Sequence, residues 1–397
     1  MSKDRQFEPV IIEAVRTPFG RRGGALRNVR PDELLARTIQ EVLQRAGMPG
    51  ENIGDVIAGC VSQAGEQGGN IARQVALLAG LPAEVPGVSL NRMCGSSQYA
   101  MHAGAQAVAA GDLDFVMSCG VESMSRVPMF LDLTLGEKDF TDFENLHPGI
   151  RGRFDIPHQI ESAERIAERW SISRDELDSF AIDSHARAER ARSEGLHAEI
   201  FTLSGIDKEG NPLMLDADEG IRAEIDIDRV RSMEPVLRTS AQGRVTAANA
   251  SQMSDGAAGV LIGNRASAER LGLKVRARFL ARVVVGSDPE LQLTGVIPAA
   301  KRALQTAGLT IDDLDWIEVN EAFASVALCF QRELNPDPDK LNPWGGAIAH
   351  GHPLGGTGAG LMAKMLAGLE QRQGTLGMQV MCIGHGMATA TIIERVH

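Results

Sequence analysis

The sequence predicts an α/β protein built from two homologous halves, each a mixed or parallel sheet covered by helices on both faces. Three observations carry that expectation: a weak internal duplication, strand–helix alternation in both copies, and an Ala/Gly-rich composition. LQRAGMPGENIGDVIAG, from Leu43, lies over LQTAGLTIDDLDWIEVN, from Leu304, each reading as a helix end, a connection and a strand. The glycine of each AG suits the left-handed residue that closes a helix. VSLNRMCGSSQYAMHAGAQAV and GGAIAHGHPLGGTGAGLMAKML follow at nearly the same offset, each read as a strand-like run, a sharp turn and a helix. FVMSCG, ending at Gly120, then parallels QVMCIG, ending at Gly384, which sets Cys382 over Ser118. Order and spacing persist through three successive elements, which chance rarely produces.

At 397 residues the chain exceeds the size at which one core usually keeps growing, so two or three domains are expected. Its 43% hydrophobic content, 43 Gly and single Tyr suit a compact enzyme in which helices and sheets approach closely. A net charge of −12 argues against general nucleic-acid affinity. The five cysteines (Cys60, Cys94, Cys119, Cys329, Cys382) have no CxxC spacing, and an odd count speaks against a disulfide framework. The N-terminal MSKDRQFEPVIIEA has neither an apolar signal region nor an Arg/Ser-rich presequence, and no stretch nears the roughly 18 apolar residues of a membrane span. The expectation is a cytoplasmic protein with no membrane and no nucleic-acid partner.

Within the first half, a helix from about Asp32, with Asp32 as N-cap, would place Leu35, Ile39, Val42, Leu43 and Ala46 on one face. Between the halves lies a polar insertion. There SRDELDSFAIDSHARAERA opens on a capping box, Ser173 with Glu176, and turns Leu177, Phe180, Ala181 and Ser184 inward. The expected division is an N-terminal half over residues 1–122 completed by 254–274, an insertion over 123–253, and a C-terminal half over 275–397. The insertion reads as surface elaboration or as a lid over a ligand site. The second is favoured because excursions from rigid α/β scaffolds often carry specificity.

Cys94 follows a strand and precedes a helix, so its sulfur would lie near a helix start, where the macrodipole favours thiolate. Taken alone it reads better as an inert buried thiol. The duplication changes the odds by placing His352 on the equivalent turn, Cys382 at the end of the next strand, and Asn320 at the end of the strand matched by 56–59. Strand ends and helix starts are where open α/β sheets carry their active sites. A rival metal reading joins His350, His352, Cys382 and His385, but a proline follows at once and no acidic cluster stands nearby. GGTGAG lacks both GxGxxG spacing and a P-loop lysine.

NRMCGSSQYAMHAGAQAVAAGDLDFVMSCGVESMSRVPM, VTAANASQMSDGAA, VNEAFASV, GGAIAHGHPLGGTGA and MCIGHGMATATIIER resemble the successive signature blocks of the thiolases, and RTPFGRRGGAL is similar as well. The resemblance runs from about residue 9 to the C-terminus. It implies the thiolase fold: two βαβαβαββ-type halves stacked as α-β-α-β-α layers, with a loop domain inserted in the first. It further implies acyl transfer between an enzyme thiol and coenzyme A, with acyl-CoA and CoA as binding partners. CoA is then a co-substrate, no cofactor is held permanently, no metal is required, and the chain assembles as a homodimer or homotetramer.

Carried over by position, the resemblance makes Cys94 the acyl-accepting nucleophile and His352 the base that activates it. Cys382 becomes the acid/base thiol. Asn320 positions a water in one oxyanion hole, and the backbone N–H groups of Cys94 and Gly384 form the other. His158 and Ser251 line the pantetheine arm, and Phe323 is the pocket aromatic. Three departures bear on the acyl group: Gln159-Ile160 where short-chain members have Met-Gly, Gln292 for their second pocket methionine, and His385 for a glycine. They favour a broad or longer-chain 3-ketoacyl-CoA thiolase over a short-chain acetyl-CoA C-acetyltransferase that makes acetoacetyl-CoA. A decarboxylating condensing enzyme would carry Cys-His-His in place of Cys382. A non-catalytic CoA-binding paralogue is disfavoured by the intact set of Cys94, Asn320, His352 and Cys382.

Overall fold

The computed structural model describes residues 7–134 and 146–396. Its strands are β1 (Pro9–Arg16), β2 (Gly20–Arg21), β3 (Asp55–Gly59), β4 (Gly87–Leu90), β5 (Phe115–Ser123), β6 (Leu203–Ile206), β7 (Pro212–Leu215), β8 (Ser254–Asn264), β9 (Ala277–Gly286), β10 (Trp316–Val319), β11 (Leu376–Ile383) and β12 (Met387–Arg395). Apart from the β6–β7 hairpin and the short β2 beside β8, they run in the order β4-β3-β5-β8-β1-β9-β12-β11-β10. The seam between the halves is short: Val10 and Ile11 of β1 against Arg278 and Ala277 of β9.

Outward from that seam, β1-β8-β5-β3 on one side mirrors β9-β12-β11-β10 on the other. The outermost pair of each series is parallel, β3 with β5 and β10 with β11, and the inner pairs are antiparallel. The duplication is thus a structural one. Its helix ends match as well: Gly47 and Gly308 take φ 65 and 70. In each case the following N–H, of Met48 or Leu309, reaches the leucine five residues back at 3.0 Å.

Three cores separate the layers. Helices Pro31–Ala46 and Ile71–Leu78 pack Leu35, Ile39, Val42 and Val75 on the outer face of the first half-sheet. Helices Val296–Ala307 and Ala324–Leu334 cover the outer face of the second with Val296, Ala300, Leu304 and Phe330. Between the sheets lie Ser96–Ala110 and Leu354–Gln371, which share a core with β1, β5 and β8. The result is the expected α-β-α-β-α stack. β5 and β8 are buried along their whole length, as strands covered on both faces must be.

The two central helices meet almost backbone to backbone. A Cβ on Gly358 would lie 2.4 Å from the Gln98 nitrogen, and the Ala359 N–H donates to Ser97 Oγ at 2.9 Å. A Cβ on Gly120 of β5 would lie 2.2 Å from the Gly355 carbonyl oxygen. No side chain can yield at these contacts, because backbone is what blocks them.

Some local expectations are corrected. Asp32 is not the N-cap: Arg30 is, Pro31 opens the helix, and the Asp32 carboxylate instead holds the Arg30 guanidinium at 2.7 Å. Proline is suited to a first helical position because it has no N–H to satisfy there. GGAIAH does not form a strand before His352. Its Ala347–His350 is one helical turn, and the counterpart of β4 shrinks to a single bridge, Ile317 with Leu341. Nor does Cys382 correspond to Ser118. Ser118 pairs with Ile57, and Gln379 pairs with Glu318 at the matching place after the cap glycine. Both Ser118 and Gln379 bond the central helices, to Ala100 O and Gly358 O. The shared VM dipeptide had shifted the alignment by three residues.

In the insertion, the capping box of Ser173 and Glu176 forms as expected and opens helix Arg174–Ser193, with Leu177, Ala181 and Ser184 buried and Phe180 half-buried. Among the described residues no helix is long and apolar enough to cross a membrane.

Gly358→Ala is expected to destabilise the protein by at least ~3 kcal/mol, the upper end of overpacking penalties, because the obstruction is main chain. Urea unfolding monitored by circular dichroism checks it. A midpoint equal to wild type would contradict the close crossing.

Candidate active site

Cys94 sits in the turn between β4 and helix Ser96–Ala110, whose N-cap is Gly95. The turn is closed by Gly95 N–H to Arg92 O at 3.1 Å and Ser96 N–H to Met93 O at 3.0 Å, with Met93 in the left-handed region at φ 46. His352 stands at the same distance before Leu354–Gln371 as Cys94 stands before Ser96–Ala110, so the two turns are equivalent, as expected. Cys94 is 5% exposed and packs with Leu354, Leu361, Met381 and Ile383, which draws together the histidine helix and β11.

The remaining polar groups form one chain. His352 Nε2 lies 3.5 Å from Asn320 Nδ2, which also approaches Cys382 Sγ at 3.8 Å. His352 Nδ1 is 2.7 Å from Thr357 Oγ1. Those partners fit a neutral ring with its proton on Nδ1, leaving Nε2 as the acceptor. The His352 N–H is shared between Ser254 Oγ at 3.1 Å and Gln252 O at 3.0 Å. Asn320 is held by its own N–H to Val380 O at 3.0 Å, while its buried Oδ1 has no partner among the described residues.

Glu122 binds the walls of the site together. Fully buried, it accepts the N–H groups of Val61, Ser62 and Gly355 at 3.0 Å each and Gln67 Nε2 at 2.8 Å. It therefore ties the loop beside Cys94 to the first turn of the histidine helix.

Burial dominates the electrostatics. It pushes the Cys94 thiol well up, with the neighbouring Cys382 adding to the effect. It pushes Cys382 up to about 11, partly opposed by the hydrogen bond from Asn320, and His352 down to about 4. Burial thus opposes the thiolate that the helix start is expected to favour. Burial therefore drives both the thiol and the imidazole toward their neutral forms.

The other expected residues flank this centre. Ser251 and Phe323 lie on paired segments, Ser251 N–H to Ala322 O and Ala324 N–H to Asn249 O, both at 2.9 Å. Phe323 is buried and caps helix Ala324–Leu334. His158 is exposed and caps helix Gln159–Arg169, its Nδ1 accepting the Ile160 N–H at 3.1 Å. Its neighbour Gln159 is the residue that reaches the cavity of about 80 Å³ at Cys94, together with Val61, Met93, Met129, Phe130 and Leu354. Gly384 follows β11, and a Cβ there would lie 2.7 Å from Gln159 Nε2 and 2.8 Å from Met93 Sδ. His385 adopts φ 61, which explains why glycine suits that position.

The metal reading loses its geometry. His350 bonds Gly351 O at 2.9 Å and Lys364 Nζ at 3.2 Å, away from the His352–Asn320–Cys382 chain. Sequence reasoning missed Thr357, Ser254 and Glu122. The first two are ordinary hydroxyls whose only signal is proximity in sequence to His352 and Ser251.

Comparison with known proteins agrees with this geometry. Residues 9–266 match the family model described as thiolase, N-terminal domain, and residues 273–395 match thiolase, C-terminal domain. The chain is 43% identical to the steroid 3-ketoacyl-CoA thiolase of Mycobacterium tuberculosis, covering 98% of this chain and 94% of that protein. It is 40% identical to a beta-ketoadipyl-CoA thiolase of Acinetobacter baylyi, covering 97% and 99%. The crystal structure of human mitochondrial 3-ketoacyl-CoA thiolase superposes with a TM-score of 0.88 at 32% identity, covering 98% of this chain and 100% of that one. The chain belongs to the thiolase family. It is accordingly an acyltransferase, and its activity is the thiolytic cleavage of 3-ketoacyl-CoA.

The depressed value of His352 has a defined sign. Unfolded, an imidazole binds its proton near pH 6.5; folded, this one binds it near 4. Between those values the native state holds fewer protons, so stability is full above about pH 6.5 and is lost as pH falls toward 4. Nitrogen-15 chemical shifts of His352 should report a neutral ring throughout pH 5–8, and a midpoint near 6.5 would contradict the burial argument.

Proposed function

We propose that Cys94 attacks the 3-keto carbon of a 3-ketoacyl-CoA while His352 Nε2 takes the thiol proton. The sulfur–carbon bond forms, the bond between the α- and β-carbons breaks, and the α-carbanion takes a proton from Cys382, releasing acetyl-CoA. In the second half-reaction the CoA thiol gives its proton to the Cys382 thiolate and attacks the acyl-Cys94 carbonyl carbon; the acyl–Cys94 bond breaks, the Cys94 sulfur takes back its proton from His352, and a shortened acyl-CoA leaves. The carrying observation is the chain Thr357–His352–Asn320–Cys382, ending beside a buried thiol at a helix start.

Negative charge develops on thioester and keto oxygens, so aimed donors matter most; one such donor is typically worth about 10²–10³ in kcat. The unpartnered Asn320 Oδ1 supports a water at that amide. The N–H groups of Cys94 and Gly384 are the second pair of donors in this reading. A thioester on Cys94 is about as stable as the CoA thioester it replaces, which keeps the transfer reversible.

For the acyl group the reading is a longer, apolar chain. The Cys94 cavity is lined by Met93, Met129, Phe130, Leu133 and Leu354, and no cation is among its described lining. An acyl chain ending in a carboxylate would face Asp132 instead. The CoA arm fits past His158, Ser251 and Phe323. The adjoining cleft at His185, Arg222, Ala247, Ala248 and Gln252 offers the Arg222 guanidinium to the nucleotide end. The inserted segment, residues 123–253, would then be the CoA-covering domain between halves of 1–122 with 254–274 and 275–397.

We also propose a homodimer, with a tetramer of such pairs as its extension. β4 is an edge strand of the sheet, and Leu77, Leu78 and Val88 beside it are 50%, 54% and 47% exposed. The five buried, unpaired cysteines support a reducing, cytoplasmic setting.

With CoA present, loss of the enolate absorbance of acetoacetyl-CoA and of 3-ketoacyl-CoA substrates of eight or more carbons tests the reading. The longer chains should give the higher kcat/KM. Cys94→Ser and Cys382→Ser should each lower kcat by at least ~10³, in keeping with loss of a nucleophile or its proton partner. A preference for acetoacetyl-CoA would sink the chain-length proposal, and a fully active Cys94→Ser would sink the mechanism. Light scattering after Val88→Lys should report a monomer where the wild type is larger.

A further inference from the structure

Gln292 belongs to none of the elements that carry the reacting groups, yet it is wholly buried beside them. Its backbone stands at φ 47, ψ −68, a conformation that a residue with a side chain adopts only when its surroundings impose it. The backbone closes a tight turn there, Leu293 N–H to Leu291 O at 2.5 Å, and the side-chain amide is held at both ends. Nε2 donates to Pro157 O at 2.6 Å and to Ser162 Oγ at 3.0 Å, and Oε1 accepts the His385 N–H at 2.9 Å. Ser162 Oγ donates onward to Glu290 O at 3.2 Å.

One amide therefore spans two segments. The first, 157–162, holds His158 and Gln159. The second is the turn after β11, in which Gly384 is followed by His385 at φ 61 and Gly386 at φ 76. The far side of that turn is pinned by Ser287 N–H to Gly386 O at 2.6 Å. A Cβ on Gly384 would meet Gln159 Nε2 at 2.7 Å, Met93 Sδ at 2.8 Å and Gln292 Oε1 at 3.7 Å. The turn next to the Cys94 turn is thus held by Gln292 at its His385 N–H and bordered at Gly384 by Gln159 and Met93.

We propose that Gln292 is a positioning residue for the oxyanion hole: its amide aims the Gly384 N–H and links that aim to the segment carrying His158 and Gln159. The proposal rests on the reading that the Gly384 N–H faces the thioester oxygen. Its chemistry is specific, because the position must donate to one carbonyl and accept from one N–H at once. Leucine can do neither, and methionine can only accept, weakly. A carboxylate can only accept and would be repelled by Pro157 O, whereas a protonated carboxyl can do both.

Gln292→Glu supplies a test that simple packing would not reproduce. At pH 8 its kcat should fall about 10- to 100-fold, a fraction of the full worth of an oxyanion donor. As the pH is lowered and the carboxyl protonates, kcat relative to wild type at the same pH should recover several-fold. Gln292→Leu should lose a similar factor with no recovery. A Gln292→Glu profile parallel to wild type, or equal losses for both variants at every pH, would overturn the assignment. If Gln292→Glu does not fold, Ser162→Ala serves: a threefold or greater loss in kcat with little change in KM for CoA supports the proposal, and an unchanged kcat overturns it. A wild type with no turnover of any 3-ketoacyl-CoA would instead remove the reading on which the proposal rests.

Discussion

The crossing of the two central helices is the constraint on which the site depends. Ser96–Ala110 and Leu354–Gln371 are opened by the Cys94 and His352 turns, and both helices are sandwiched between the two half-sheets. Their starts can converge only if the backbones approach to contact; glycine at 358 removes the side chain that would hold the two helices apart, and glycine at 120 does the same between β5 and the histidine helix. The approach is sealed by polar main-chain bonds, Ala359 N–H to Ser97 Oγ and Gly355 N–H to Glu122 Oε2. Unpaired donors in so dry a place would each cost about 1–3 kcal/mol, so these bonds make the close packing tolerable.

From that convergence follows the protonation state. A thiol and an imidazole buried together resist charge separation, which holds the thiol up and the ring down. An idle thiolate would be open to oxidation and alkylation. In the proposed mechanism a neutral pair stays inert until a thioester arrives and its developing oxyanion compensates the imidazolium. Asn320 and Cys382 stand at the ends of β10 and β11 within reach of that ring, whose other nitrogen is bonded to Thr357.

Much of this was legible because duplication leaves paired signals. LQRAG and LQTAG located equivalent helix ends, and from them the equivalence of the Cys94 and His352 turns followed. The Ser173–Glu176 capping box was readable because capping is local chemistry. Misreadings arose where tertiary context decides. GGAIAH has strand-like composition but folds as one turn of helix, and a shared dipeptide misplaced Cys382 against Ser118. The contacts of Glu122 and Gln292 were invisible because each is made through hydrogen bonds to segments 55 to 233 residues away. The burial that opposes a Cys94 thiolate was not legible, because helix position can be read from sequence and burial depth cannot.

The most direct measurement is the mass of the protein after exposure to a 3-ketoacyl-CoA in the absence of added CoA, with fragmentation to locate the modified residue. The account predicts one acyl group, two carbons shorter than the substrate's, on Cys94 alone. An adduct on Cys382, Cys119 or Cys329, or none on any thiol, would contradict it.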